Sequence, residues 1–179
     1  LLEQGWRRET SLDLSHDPLT QSHQMALASP LLGDLPKLNV DFKHISKLDL
    51  RAQETTSIPD GFLERFPNLE SLLIHRYALQ DIPAGVFKLP KLTTLSLTQC
   101  NLRLTADSVA ALSDLHTLEY LDLSDNPLAL TPDVSKMSSL ETLMMENAGL
   151  TEVPHGVFNL TSLTQLNLSD NRITELPTD

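Results

Sequence analysis

The sequence predicts an α/β solenoid: short parallel strands stacked into one curved sheet, with mostly extended or 3₁₀ segments returning behind it. Two observations carry that prediction. Leucine supplies 38 of the 179 residues while aromatic residues supply only 4%. Those leucines also fall in a single frame that recurs every 22–26 residues. A third observation excludes other classes: one cysteine cannot build a disulfide framework or a cysteine-only metal site. No apolar run approaches the roughly 20 residues of a membrane span.

The frame reads L-x-x-L-x-L-x-x-(N/C)-x-L, followed by x-x-(I/L/V)-P. It opens at Ile45, Leu69, Leu92, Leu118, Leu140 and Leu163. A degenerate copy precedes these, with Met25, Leu27, Pro30, Leu32 and Leu35-Pro36 in register. This is the frame of a leucine-rich repeat. Its L-x-L core places two apolar side chains on one face of a strand, because side chains alternate with period two. A single repeat cannot bury that face, so neighbours must stack.

Taken in chain order, residues 1–21 do not fit the frame. Leu2 to Arg8 reads as a short helix carrying Trp6, and residues 11–28 read as a hairpin-like cap. Residues 22–179 are expected to be repeats: one degenerate, six in frame, the last truncated. Four returning segments carry Ile58-Pro59, Ile82-Pro83, Val153-Pro154 and Leu176-Pro177. Proline lacks an N–H, which suits extended or 3₁₀ backbone. The 26-residue repeat differs. Thr105 is a candidate N-cap, and Val109, Leu112 and Leu115 recur at helical spacing, which predicts one convex-side helix over about 106–115.

The ninth frame position normally holds Asn, whose amide satisfies backbone groups in the turn after the strand. Here it reads Gln53, Tyr77, Cys100, Asn126, Ala148 and Asn171, so the amide ladder is expected to break in the middle. Ala148-Gly149 is expected to turn without side-chain help, and Tyr77 to perturb its turn. Cys100 reads as a small buried substitute for Asn rather than a nucleophile, and no His or carboxylate is tied to it. With Asn126 and Asn171 it makes the structural turn ladder.

Other constellations dissolve on inspection. Asp122 to Asn126 with Asp133 superficially matches a calcium loop, but Pro127 takes the glycine position and the terminal Glu is missing. Six histidines are scattered over different repeats, without metal-ligand spacing. No catalytic constellation, metal or cofactor is indicated. Asn159-Leu-Thr and Asn167-Leu-Ser match glycosylation sequons, a pattern that arises readily in such repeats. The lack of cysteine-bonded caps favours an intracellular or bacterial setting over an extracellular eukaryotic one.

The concave face is the informative surface. Its outward positions are the third, fifth and seventh of the frame, with the eighth at the rim. Leu73, Tyr120 and Met144 are apolar there, and Asp122 and Glu146 flank the last two; Arg51, His75 and Arg76 lie toward the other end. These eight residues are the candidate partner-binding set, since tyrosine is enriched at hot spots. The net charge is −11, and residues 118–179 hold ten acids against Lys136 and Arg172. Nucleic acid or an anionic membrane would bind against that field. A protein client with a basic surface would not.

Three stretches carry a family resemblance: Asp41-Phe-Lys-His-Ile-Ser-Lys-Leu-Asp-Leu50, Gly61-Phe-Leu-Glu-Arg-Phe-Pro-Asn-Leu69 and Leu130-Thr-Pro-Asp-Val-Ser-Lys-Met137. With the long repeat's Leu104-Thr-Ala, they resemble the repeat region of large bacterial effector-like proteins that carry a novel E3 ligase (NEL) domain. The resemblance covers residues 25–179. It implies that the repeats form a substrate-recognition or regulatory arm of a ubiquitin ligase secreted into, or acting in, a host cytoplasm. In that family ubiquitin passes through a Cys-x-Asp cysteine. Cys100-Asn101-Leu102 fails that motif, so no catalytic residue is carried over and this segment is expected to be non-enzymatic. The chain opens Leu1-Leu2, without an initiator Met or signal-peptide pattern, and stops partway through a repeat. It is therefore expected to belong to a longer protein with a further domain. The alternative is a structural or adhesive repeat segment with no ubiquitin-ligase context.

Overall fold

The computed structural model describes residues 11–17, 22–28, 35, 37–52 and 57–176. Among these residues eight strands form one sheet in chain order: β1 (Ser11–Asp17), β2 (Ser22–Ala28), β3 (Lys47–Arg51), β4 (Ser71–His75), β5 (Thr94–Thr98), β6 (Tyr120–Asp122), β7 (Thr142–Met144) and β8 (Gln165–Asn167). The first pair is antiparallel, from Ser11 opposite Ala28 to Asp17 opposite Ser22. Every later pair is parallel. The chain is a leucine-rich repeat solenoid. The helix expected over Leu2–Arg8 lies outside the described residues, as do Pro30, Leu32, Pro36, Gln53 and Pro177.

The register has no slip. Leu48, Leu72, Leu95, Leu121, Leu143 and Leu166 lie side by side across β3 to β8, and Met25 and Leu27 on β2 pair with Leu48 and Leu50. A one-residue shift would turn every one of these side chains to solvent, so the apolar pattern itself fixes the pairing. The inward residues of β3 to β7 are fully buried. Burial of each leucine contributes about 1.5–3 kcal/mol. The alternate residues of β3, β4, β6 and β7 are half-buried or exposed.

Behind the sheet, 3₁₀ turns occupy Leu63–Arg65, Ala84–Lys88 and Val157–Asn159. Pro59, Pro83 and Pro154 each accept the first bond of such a turn, from the N–H groups of Phe62, Val86 and Val157. Near the N-terminal end Phe42 stacks on Phe66, with ring centroids 5.1 Å apart. The long repeat instead forms helix α1 (Ala106–Ser113). Thr105 Oγ1 accepts the Ser108 N–H and Ser108 Oγ accepts the Thr105 N–H, a reciprocal cap. The helix ends two residues short of the expected limit. Leu115 and Leu118 instead close the following turn through their N–H groups, bonded to the Leu112 and Leu115 carbonyls.

Candidate functional site

The residues chosen from the sequence fall into three places on the molecule. Tyr120 and Asp122 on β6 and Met144 on β7 form one group on the concave face. Tyr120 pairs with Thr142, and Asp122 lies directly beside Met144. Glu146 follows two residues after Met144 at the rim, where its carboxylate accepts a bond from Asn167 Nδ2 at 2.9 Å. Asp122 Oδ1 accepts the Ser124 N–H at 2.9 Å. Burial, and then the nearby Asp122 carboxylate, raise the pKa of the Tyr120 phenol above its ordinary value. Tyr120 and Met144 remain half-exposed.

Leu73, Arg51, His75 and Arg76 form a second group, separated from the first by β5. Asp49 lies beside Leu73 and Arg51 beside His75. The Arg51 guanidinium folds back onto Asp49 of its own strand at 2.9 Å, and that bond, with the carboxylate's charge, raises the Arg51 pKa. His75 Nδ1 lies 2.8 Å from Thr98 Oγ1. Between the groups, Ser96 is buried despite its outward frame position. The rim holds one network that sequence spacing did not single out: Asp125 accepts bonds from Asn147 Nδ2 at 2.9 Å and Gln99 Nε2 at 3.5 Å.

The third group is the turn ladder. The eighth frame position is left-handed in five successive repeats, with φ of 61° at Arg76, 53° at Gln99, 57° at Asp125, 49° at Asn147 and 56° at Asp170. Strands β4 to β8 therefore leave the sheet by the same sharp bend. The ninth side chain then turns inward. Asn126 Oδ1 accepts the Cys100 and Leu102 N–H groups of the preceding repeat, at 2.9 and 3.1 Å. Its Nδ2 donates to the carbonyls of Leu97, Leu123 and Ser124. Asn171 repeats this pattern one repeat pair later, holding the Ala148 and Leu150 N–H groups at 3.0 Å each.

Two local expectations are corrected here. The amide ladder does break where Cys100 and Ala148 supply no amide to the turns before them, but the turns at Cys100 and Ala148 themselves are closed by Asn126 and Asn171, which reach back across the repeat boundary. Ala148-Gly149 turns with that help rather than alone. Tyr77 leaves its bend intact: Arg76 matches its counterparts in φ, and the ring inserts into the core, 1% exposed. Among the described residues its hydroxyl has no hydrogen-bond partner, and burial raises the pKa of the phenol. The Cys100 thiol donates toward the Thr98 carbonyl at 3.2 Å and the Ile74 carbonyl at 3.5 Å, taking over part of the asparagine role. Burial pushes its pKa up to about 11, only partly opposed by the Tyr77 and Arg76 backbone. A thiol so placed is a poor nucleophile at neutral pH.

The convex side offers two open grooves of about 540 and 430 Å³. The first runs past Pro154, Phe158 and Leu176, the second past Pro59, Ile82 and Pro83. Among the described residues no cluster of His, Cys, Asp and Glu could hold a metal ion, and no helix is long and apolar enough to cross a membrane.

Leucine rich repeat family models match residues 43–102, 67–128 and 162–179, together more than half of the chain. The chain is 31% identical over 129 residues to the volume-regulated anion channel subunit LRRC8A of Homo sapiens, covering 71% of this chain and 16% of that protein. It is 28% identical over 127 residues to the probable inactive serine/threonine-protein kinase roco10 of Dictyostelium discoideum, 70% of this chain and 5% of that one. Lumican of Gallus gallus is 27% identical over 184 residues, 93% of this chain and 52% of that one. The chain thus spans about half or much less of these relatives. Among solved structures, an internalin from Listeria monocytogenes matches with a TM-score of 0.54 at 21% identity, over 74% of this chain and 44% of that one, a likeness of fold alone. A leucine-rich repeat protein of Leptospira interrogans matches with a TM-score of 0.51 at 25% identity, over 75% and 40%. By frame, by sheet and by these matches, the chain belongs to the leucine-rich repeat family.

Proposed function

We propose that this segment recognises a protein client on its concave face, with the client's basic surface against the strands β6 to β8. Leucine-rich repeat segments are in general non-catalytic protein-interaction modules. The supporting observation is Tyr120 and Met144, half-exposed on adjacent strands with Asp122 and Glu146 beside them: an apolar centre with a charged rim. Replacing both by Ala should leave the urea-unfolding midpoint nearly unchanged, because neither belongs to the leucine frame. Client binding should weaken by about 1 kcal/mol or more. Equal affinity of the double variant for a verified client, or a larger loss from Phe158→Ala on the convex side, overturns the reading.

The narrower reading is the recognition arm of a bacterial ubiquitin ligase acting in a host cytoplasm. Its support is the resemblance of residues 41–50, 61–69 and 130–137 to NEL-type proteins; none of the relatives named above is described as a ligase. Incubating the full-length protein with ubiquitin and its activating and conjugating enzymes tests it. Ubiquitin transfer supports the narrower reading. Its absence leaves a recognition or adhesive segment without a ligase.

A further inference from the structure

From the concave face we infer what kind of partner chemistry it takes: an extended protein segment with Lys or Arg at alternate positions, lying across β6 to β8. The inference rests on the concave-face reading above and specifies the occupant.

The sheet face supplies the first argument. No described element covers the outward side of β5 to β8, and the apolar surfaces of Tyr120 and Met144 stand diagonally across β6 and β7 at its middle. Charge supplies the second. The ion pairs among the described residues join Arg51 to Asp49, Arg65 to Asp41, Lys88 to Glu64 and Lys136 to Asp114, none of them on this face. From residue 104 onward the sequence contains only two cations, Lys136 and Arg172. Lys136 is paired with Asp114. Arg172 lies beyond the strand, where its N–H bonds to the Leu150 carbonyl. Among the described residues, Asp122, Asp125, Glu146 and Asp170 thus present negative charge without an ion pair to a protein cation. At the opposite end of the arc, Asp49 is already neutralised by Arg51. Complementarity therefore favours a cationic partner at one end of the sheet only.

Spacing supplies the third. Asp122 pairs with Met144, and Glu146 follows two residues later, just past the end of β7, which puts the two carboxylates roughly 7–8 Å apart along the face. Side chains on one face of an extended chain recur every ~7 Å. A basic residue on each carboxylate would place the intervening backbone beside Met144, and the segment continuing past Asp122 would run toward Tyr120, where a Lys or Arg stem can pack on the ring.

The test uses two fluorescently labelled octapeptides of equal charge: alternating arginine and threonine, and four arginines followed by four threonines. Binding to the whole chain is measured by anisotropy at low and physiological salt. The expected results are tighter binding of the alternating peptide, weakening with salt, and a loss of tenfold or more in Asp122→Asn/Asp125→Asn/Glu146→Gln. The convex variant Glu152→Gln/Glu175→Gln should stay within twofold of the parent. Equal loss in the convex variant, or none in the concave one, overturns the inference, as does equal binding of the two peptides. An amide-exchange footprint separates the two levels. Protection of β6 to β8 that survives concave neutralisation sinks only the cationic assignment; protection confined to the convex side sinks the concave-face reading as well.

Discussion

Asn126 shows how much one side chain does in this fold. It is 1% exposed and makes five hydrogen bonds to backbone groups of its own repeat and the one before. Asn126→Ala would leave several buried polar groups unpaired, at roughly 1–3 kcal/mol for each group that water cannot reach. We expect a loss of about 3 kcal/mol or more in urea unfolding. Asn171→Ala removes the equivalent bonds at a half-exposed site, where water can replace them, and should cost clearly less. Cys100 gives a pH signature. Its folded pKa of about 11 stands above the ordinary 9.0, so from pH 9 upward the unfolded chain loses the thiol proton first. The folded state holds more protons in that window, and stability falls as pH rises from 9 to 11. The loss attributable to Cys100 is on the order of 2–3 kcal/mol. Tyr77 adds a loss of the same sign above pH 10. Comparing parent with Cys100→Ala over that range isolates the thiol; parallel pH curves would contradict its burial.

At the scale of elements, the convex connections differ in how closely they approach one another. Gly61 and Gly156 both have left-handed φ, 77° and 79°. A Cβ on Gly61 meets nothing within 4 Å, whereas one on Gly156 would lie 2.5 Å from the Ser135 Cα. Gly61→Ala should therefore cost about 1–2 kcal/mol from the backbone alone. Gly156→Ala should cost distinctly more, because the 3₁₀ turn at Val157–Asn159 must move away from the neighbouring repeat. Thermal melts of the two variants make the comparison, and equal destabilisation would contradict the packing. The strand β8 stacks on one described neighbour only, and Leu166 is 39% exposed where its counterparts Leu143 and Leu121 are fully buried. Hydrogen exchange should find its amides the least protected of the parallel strands. Protection through Ile173 equal to that of β5 would show that something covers the edge in solution.

For the molecule as a whole, repetition made most of the architecture legible. Six aligned copies of an L-x-x-L-x-L frame leave one arrangement that buries every inward leucine, and the register across β3 to β8 follows from period two alone. The 3₁₀ turns after Pro59, Pro83 and Pro154 and the helix behind Thr105 were readable for the same local reason: a missing N–H or a capping hydroxyl acts within a few residues. The composition of the concave face, apolar at Tyr120 and Met144 and acidic around them, was equally set by the frame. What the sequence could not determine depends on neighbours about 23 residues apart in the chain. A missing asparagine at Cys100 and Ala148 looks like a gap when each repeat is read alone. Stacking at about 4.8 Å brings the next repeat's amide within bonding distance and closes that turn. Tyr77 looks too large for its turn until the interior between repeats is seen to admit the ring. The sequence by itself determined which residues face inward, because that requires only the periodicity of the backbone. Which polar groups satisfy one another was decided by the tertiary structure, because hydrogen bonds act over about 3 Å and only stacked repeats bring those atoms together.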